Sequence, residues 1–133
     1  QHLTFALSND DSKEAANGAK AMGEALAKVD KSGFTADQQK NYADLEADMK
    51  EHTEHITANA NNIAHQREHL ETLSKDVYDL TKAFGAGKPM YKIFCPMYND
   101  NKGAYWLNDS KEVKNPYFGE KMLTCGEIEE EIK

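Results

Sequence analysis

The chain has 133 residues and a formal net charge of −7, with a pI near 5.2. That length supports one folding unit with its own core, read as a single domain over residues 1–133. The acidic balance excludes a nucleic-acid partner, because no basic stripe exists to neutralise phosphates, and no run approaches the ~20 apolar residues of a membrane span.

Gln1 stands where an initiator Met would, the expected mark of a processed or trimmed chain, and no signal peptide is present. Residues 2–7 read as an earlier helical turn or helix. Residues 10–30 are rich in Ala, Lys and Glu, with Ala15, Ala19, Met22, Leu26 and Val29 at helical spacing. Asp10, Asp11 and Ser12 are natural N-cap residues. Gly18 and Gly23 lower helix propensity but let a neighbouring helix come close.

Lys31-Ser32-Gly33 stops that helix, and Thr35-Ala36-Asp37-Gln38 starts the next. An apolar seam then runs through Tyr42, Leu45, Met49, His52 and Ile56, and resumes at Ile63, Leu70, Leu73, Val77, Leu80 and Phe84. Its phase permits one helix from 35 to 84. The run Ala58-Asn59-Ala60-Asn61-Asn62 instead predicts a break, because Asn favours caps and turns. An unbroken helix would also be ~75 Å long, too long for the rest of the chain to cover.

Gly85 to Pro89 ends the helical part. Met90–Cys95 reads as a strand, Asn99–Gly103 as a turn, Ala104–Leu107 as a second short strand, and Glu127–Ile132 as a third strand or a fraying end. The expected fold is mainly α. An antiparallel up-down bundle of three to four helices (1–84) carries a C-terminal cap of short strands and turns (85–133).

The cap holds the only two cysteines, each with a methionine nearby: Cys95-Pro96-Met97 and Met122-Leu123-Thr124-Cys125. Thiolates and thioethers are soft ligands that select Cu(I) and similar ions. If Cys95 meets Cys125, Met97 and Met122 fall close by. Three readings stay open: a metal site, a disulfide worth ~3–4 kcal/mol for a ~30-residue loop, or buried thiols with neither role. Trp106 is the expected anchor of the cap against the helices. Asn115-Pro116-Tyr117-Phe118-Gly119 reads as a rigid turn whose rings fill the core, or as a docking surface.

The strings CPM (95–97), KGAYWL (102–107), NPYFGEKML (115–123) and TCG (124–126) resemble a bacterial domain-of-unknown-function family. That family occurs as a stand-alone exported protein in Bacteroidetes, and fused to periplasmic adaptor (membrane-fusion) subunits of copper/silver efflux pumps. The likeness is strongest over 91–127. It extends upstream through Gln66-Arg67-Glu68-His69-Leu70 and Leu73-Ser74, similar to the family's Gln-Arg-x-x-Phe-x-x-Leu-Ser helix, with Leu70 in place of Phe. The resemblance implies a helical bundle with a cysteine-bearing cap, a periplasmic location and a role in metal handling, with an efflux-pump adaptor or other envelope protein as partner.

Four histidines lie on the second half of the bundle. His65 and His69 are i, i+4 and share a helix face; His52 and His55 are i, i+3. His69, inside the family-like segment, is the one expected to reach the sulfur cap, completing a Cu(I) set of Cys95, Cys125, Met97 and Met122. His52 sits on the apolar seam and reads as a hydrogen-bonded core residue, and His65 as a surface residue. Alternatively His52, His55 and His65 join His69 in a separate Cu(II), Ni(II) or Zn(II) site between antiparallel helices. His65-Gln66-Arg67-Glu68-His69 also matches the inverted zinc-protease motif H-x-x-E-H, but the domain is too small for that enzyme. With no nucleophile–base–orienter set in view, no catalysis is expected. Two functions remain: a periplasmic soft-metal module for copper as Cu(I), for Ag(I) or for a related soft or transition-metal ion, or a structural or interaction domain stapled by a Cys95–Cys125 disulfide.

Overall fold

In the computed structural model, which describes residues 1–133, the chain is mostly helical. Four helices come first: α1 His2–Ser8, α2 Ser12–Ala27, α3 Ala36–Ala58 and α4 Ile63–Phe84. Three strands follow, β1 Met90–Cys95, β2 Ala104–Asn108 and β3 Glu127–Ile132. The helices begin where side chains can satisfy their free N–H groups. Asp11 accepts from Glu14 N–H. Thr35 and Gln38 form a reciprocal capping box. Asn62 accepts from His65 N–H, so the asparagine-rich stretch ends α3 and opens α4.

Gly18 of α2 lets α1 come close, as a Cβ there would lie 2.9 Å from the Leu3 backbone nitrogen. Helices α2 and α3 run antiparallel, with the Tyr42 hydroxyl donating to Leu26 carbonyl across them. Helices α3 and α4 also run antiparallel, since His55 faces His65 and His52 faces His69. The bundle therefore has four helices, the first only seven residues long. No helix is long and apolar enough to cross a membrane.

The strands form one antiparallel sheet in the order β2-β1-β3. The turn between β1 and β2 passes through Tyr98–Asn101, where Asn99, Asp100 and Asn101 take positive φ. One core cluster runs through both parts, joining Leu7, Met49, Ile56, Leu70 and Leu73 of the helices to Ile93, Cys95, Trp106 and Tyr117 of the cap. Trp106 is 1% exposed, as expected of an anchor. Burying each such side chain contributes about 1.5–3 kcal/mol.

The Asn115–Gly119 turn is rigid for a specific reason. The Asn115 carboxamide accepts from the N–H groups of Tyr117 and Phe118 and donates to the Cys125 carbonyl. Pro116 and Tyr117 are buried, and the Tyr117 hydroxyl donates to the Tyr105 carbonyl. Gly119 has φ +60°, and a Cβ there would collide with the Asp10 carboxylate. These residues fill and lock the cap; only Phe118 is partly exposed, so the turn offers little docking surface.

Arg67 ties three elements together. Its Nε donates to Pro116 carbonyl, and its Nη2 donates to both Leu7 carbonyl and Asp10 Oδ1. That guanidinium, with the Glu120 N–H, holds the Asp10 carboxyl below its usual range. Gln66, beside it on α4, does similar work, donating to the Ser12 and Ile56 carbonyls. The acidic end is less free than its composition implies. Glu130 of β3 accepts from the Tyr78 hydroxyl and from Lys82.

Candidate metal centre

The four histidines gather between α3 and α4. The i, i+3 pair on α3 and the i, i+4 pair on α4 face each other because the helices are antiparallel. His55 and His69 stack with centroids 4.5 Å apart and planes 12° apart. His65 Nε2 lies 3.2 Å from His69 Nε2. One ring nitrogen from each of His55, His65 and His69 lies within 4.8 Å of the others. Nitrogens bound to one ion at about 2.0–2.1 Å, at angles near 90–110°, sit about 2.9–3.4 Å apart. The His65–His69 pair is already at that spacing, and His55 is within reach by side-chain adjustment.

The remaining ring nitrogens form a chain. His69 Nδ1 is 2.9 Å from His52 Nδ1. His52 Nε2 is 3.5 Å from Asp48 Oδ2, and His65 Nδ1 is 3.4 Å from Glu68 Oε2. The order is Asp48, His52, His69, His65, Glu68, with a carboxylate at each end. A neutral imidazole has one N–H and one lone pair. Three neutral rings therefore supply three protons for four contacts, one too few. A cation between the two Nε2 atoms removes the shortfall. His69 Nδ1–H then donates to His52, His52 Nε2–H faces Asp48, and His65 Nδ1–H faces Glu68. This is the outer-sphere pattern that orients ligating histidines. Burial first, and then the positive forms of His55, His52 and His65, hold the His69 pKa below its usual value. Its lone pair stays available to an ion.

Asp76, two turns along α4 from His69, is 9% exposed. Its Oδ2 is buried without a hydrogen-bond partner. Ligand atoms of Asp48, His52 and Asp76 lie within 4.8 Å of one another. Burial, followed by its hydrogen bond with Asp48 and the nearby charges of Asp48 and Asp79, pushes the Asp76 pKa up to about 7. An unfolded Asp titrates near 4. Between those values the folded state holds one extra proton, so this group's contribution to stability falls as pH rises from about 4 to about 7 and is flat above. In chelator, the stability advantage of Asp76→Asn over the wild type should therefore grow from pH 5 to pH 7.5, read by urea unfolding. A constant difference would contradict the buried, proton-holding carboxyl.

The cap assembles only part of the expected sulfur set. Cys95 Sγ and Cys125 Sγ lie 3.7 Å apart as free thiols. Cys95 is buried, and burial followed by Cys95 itself pushes the Cys125 thiol pKa up. Met97 is 49% exposed, on the rim of a shallow depression with Tyr98 and Phe118. Met122 is half-buried at the end of a 3-10 turn, Gly119–Met122. His69 does not reach the sulfurs, and neither three-ligand cluster contains a cysteine. The reason is helical phase. The cap packs on α4 through Arg67, Glu71, Ser74 and Tyr78. At about 100° per residue, His69 lies roughly half a turn from that stripe. A groove of about 630 Å³ between α2 and α3 contains none of these histidines or cysteines.

Residues 2–89 match a family described as a protein of unknown function, DUF3347. The chain belongs to this family. The match spans α1 to α4 with all four histidines and stops before β1, upstream of the cap motifs over 91–127. No curated protein and no solved structure matches the chain.

Proposed function

We propose that this protein binds a transition-metal ion through Nε2 of His65 and His69, with His55 as third ligand. The observation that carries the reading is the proton count of the Asp48–His52–His69–His65–Glu68 chain, which closes when a cation replaces the His65–His69 proton. Imidazoles suit Zn, Cu and Ni. Three protein nitrogens leave a coordination position open, which fits an ion to be passed on as well as one held. No catalysis is required.

A second reading rests on the 3.7 Å approach of the two thiols. Cys95 and Cys125 would hold Cu(I) or Ag(I), with Met97 and Met122 recruited by movement of the cap. Copper is the element that suits both donor sets, Cu(II) at the imidazoles and Cu(I) at the thiols. If the same thiols oxidise, the cap becomes a disulfide-stapled structural or interaction module. A periplasmic location and service to a heavy-metal efflux adaptor are proposed from the sequence resemblance alone.

The test is a competition titration of reduced protein with Zn(II), Cu(II) and Cu(I) against chromogenic chelators. One equivalent of Zn(II) or Cu(II), lost in His65→Ala and kept in Cys95→Ser, is the expected result. Loss in Cys95→Ser with no change in His65→Ala would move the site to the cap.

A further inference from the structure

We propose that Asp48, His52 and Asp76 form a second cation site, for a divalent ion of mixed oxygen and nitrogen preference, that fills in competition with the histidine centre. The competition, though not the site, rests on the histidine reading above. Two carboxylates from facing helices and one imidazole bring ligand atoms within 4.8 Å of one another. Acidity alone does not make this a site. Asp76 is nine-tenths buried, and its Oδ2 has no donor at all. A buried carboxylate oxygen without a donor is costly, and a bound cation offsets that cost. Asp48 is half exposed and His52 is 13% exposed, so an ion has a route in from solvent. Two carboxylates and one imidazole, with water completing the shell, suit Mn(II), Fe(II) or Co(II) better than Cu(I).

The competition follows from a single proton. His52 Nδ1 and His69 Nδ1 are 2.9 Å apart and can share only one hydrogen. An ion on His69 Nε2 leaves the proton on His69 Nδ1, and His52 then carries its own on Nε2, where it blocks the carboxylate site. An ion on His52 Nε2 reverses the arrangement and protonates His69 Nε2. Filling both sites sets two N–H groups against each other, or requires loss of a further proton. Each ion therefore weakens the other through this one bond, reciprocally.

The probe is Mn(II) followed by electron paramagnetic resonance on the full chain, with Asp76→Asn, Asp48→Asn and His65→Ala alongside. Melting curves establish that each variant is folded. One Mn(II) should bind the wild type, about 10-fold or more weaker in both Asp variants, and with unchanged affinity in His65→Ala. Zn(II) should release Mn(II) from the wild type at a free concentration about 10-fold or more lower than from His65→Ala, where only direct displacement at the carboxylate site remains. Absence of Mn(II) binding, or binding unchanged in Asp76→Asn, overturns the second site. If Zn(II) still binds one-to-one in that case, the histidine centre stands. Mn(II) binding without any Zn(II) binding sinks the histidine centre instead. Mn(II) and Zn(II) held together without mutual weakening overturns the competition.

Discussion

Replacing His69 with Ala should weaken Zn(II) or Cu(II) binding by about 100-fold or more, while His52→Ala costs about 10-fold. The two differ because His69 works twice. Its Nε2 is a ligand, and its Nδ1–H is held by His52, which fixes the ring orientation and tautomer. His52 touches the ion only through His69. It is a positioning residue for this centre. His52→Asn keeps an acceptor facing His69 Nδ1 and should recover part of the loss, which a merely space-filling role would not. Affinities from chelator competition at pH 7.5 read all three variants. Equal losses for His69→Ala and His52→Ala would contradict these roles. Acidification below about pH 6 should release the ion, because each ligand ring must be neutral to bind.

The largest stability effect is expected at Arg67. Arg67→Ala removes the only side chain that bonds α1, α4 and the cap at once. It strands the Pro116 carbonyl, leaves the Leu7 carbonyl with only the Asp10 N–H, and removes the charged partner of Asp10. Stranded buried acceptors cost about 1–3 kcal/mol each. Asp10 is substantially exposed, so its pairing adds little. A loss of about 1–3 kcal/mol follows, or a melting temperature lower by about 4–12 °C. Arg67→Lys should recover little, because a lysine cannot reproduce the planar fork that serves three acceptors. Thermal unfolding followed by circular dichroism reads both. A shift under about 2 °C for Arg67→Ala would mean that the cap is held by its apolar contacts alone.

Local rules carried the elements well. The Asn59–Asn62 break, the Thr35–Gln38 capping box, the Met90–Cys95 strand and the Gly18 approach all follow from caps, turns and side-chain volume near each residue. The third strand was ambiguous because Glu127–Glu131 is nearly all charge. It pairs because the β1 edge and Tyr78 and Lys82 receive it.

The site was legible only in its parts. Spacing placed His65 with His69 and His52 with His55, but which pair faces what depends on rotation about α4. Leu70 and Leu73 set that rotation by turning into the core, which sends Arg67 and Ser74 to the cap and His69 to α3. The two carboxylates were missed for a related reason. Asp48 and Asp76 are 28 residues apart and read as ordinary surface charge. Only an antiparallel pairing in this register brings them together. One signal was available: Asp48 precedes His52, a seam residue, by four residues, so the two share a helix face. Sequence reasoning reaches Arg67 only as part of a family-like segment, because its acceptors are two backbone carbonyls and the Asp10 carboxylate, all far along the chain.

The most direct test of the histidine centre is X-ray absorption spectroscopy on reduced protein loaded with one equivalent of Zn(II). A first shell of nitrogen and oxygen at about 2.0–2.1 Å, with the outer-shell scattering of at least two imidazoles, is the predicted result. A shell containing sulfur at about 2.3 Å would place the ion between Cys95 and Cys125 and contradict it.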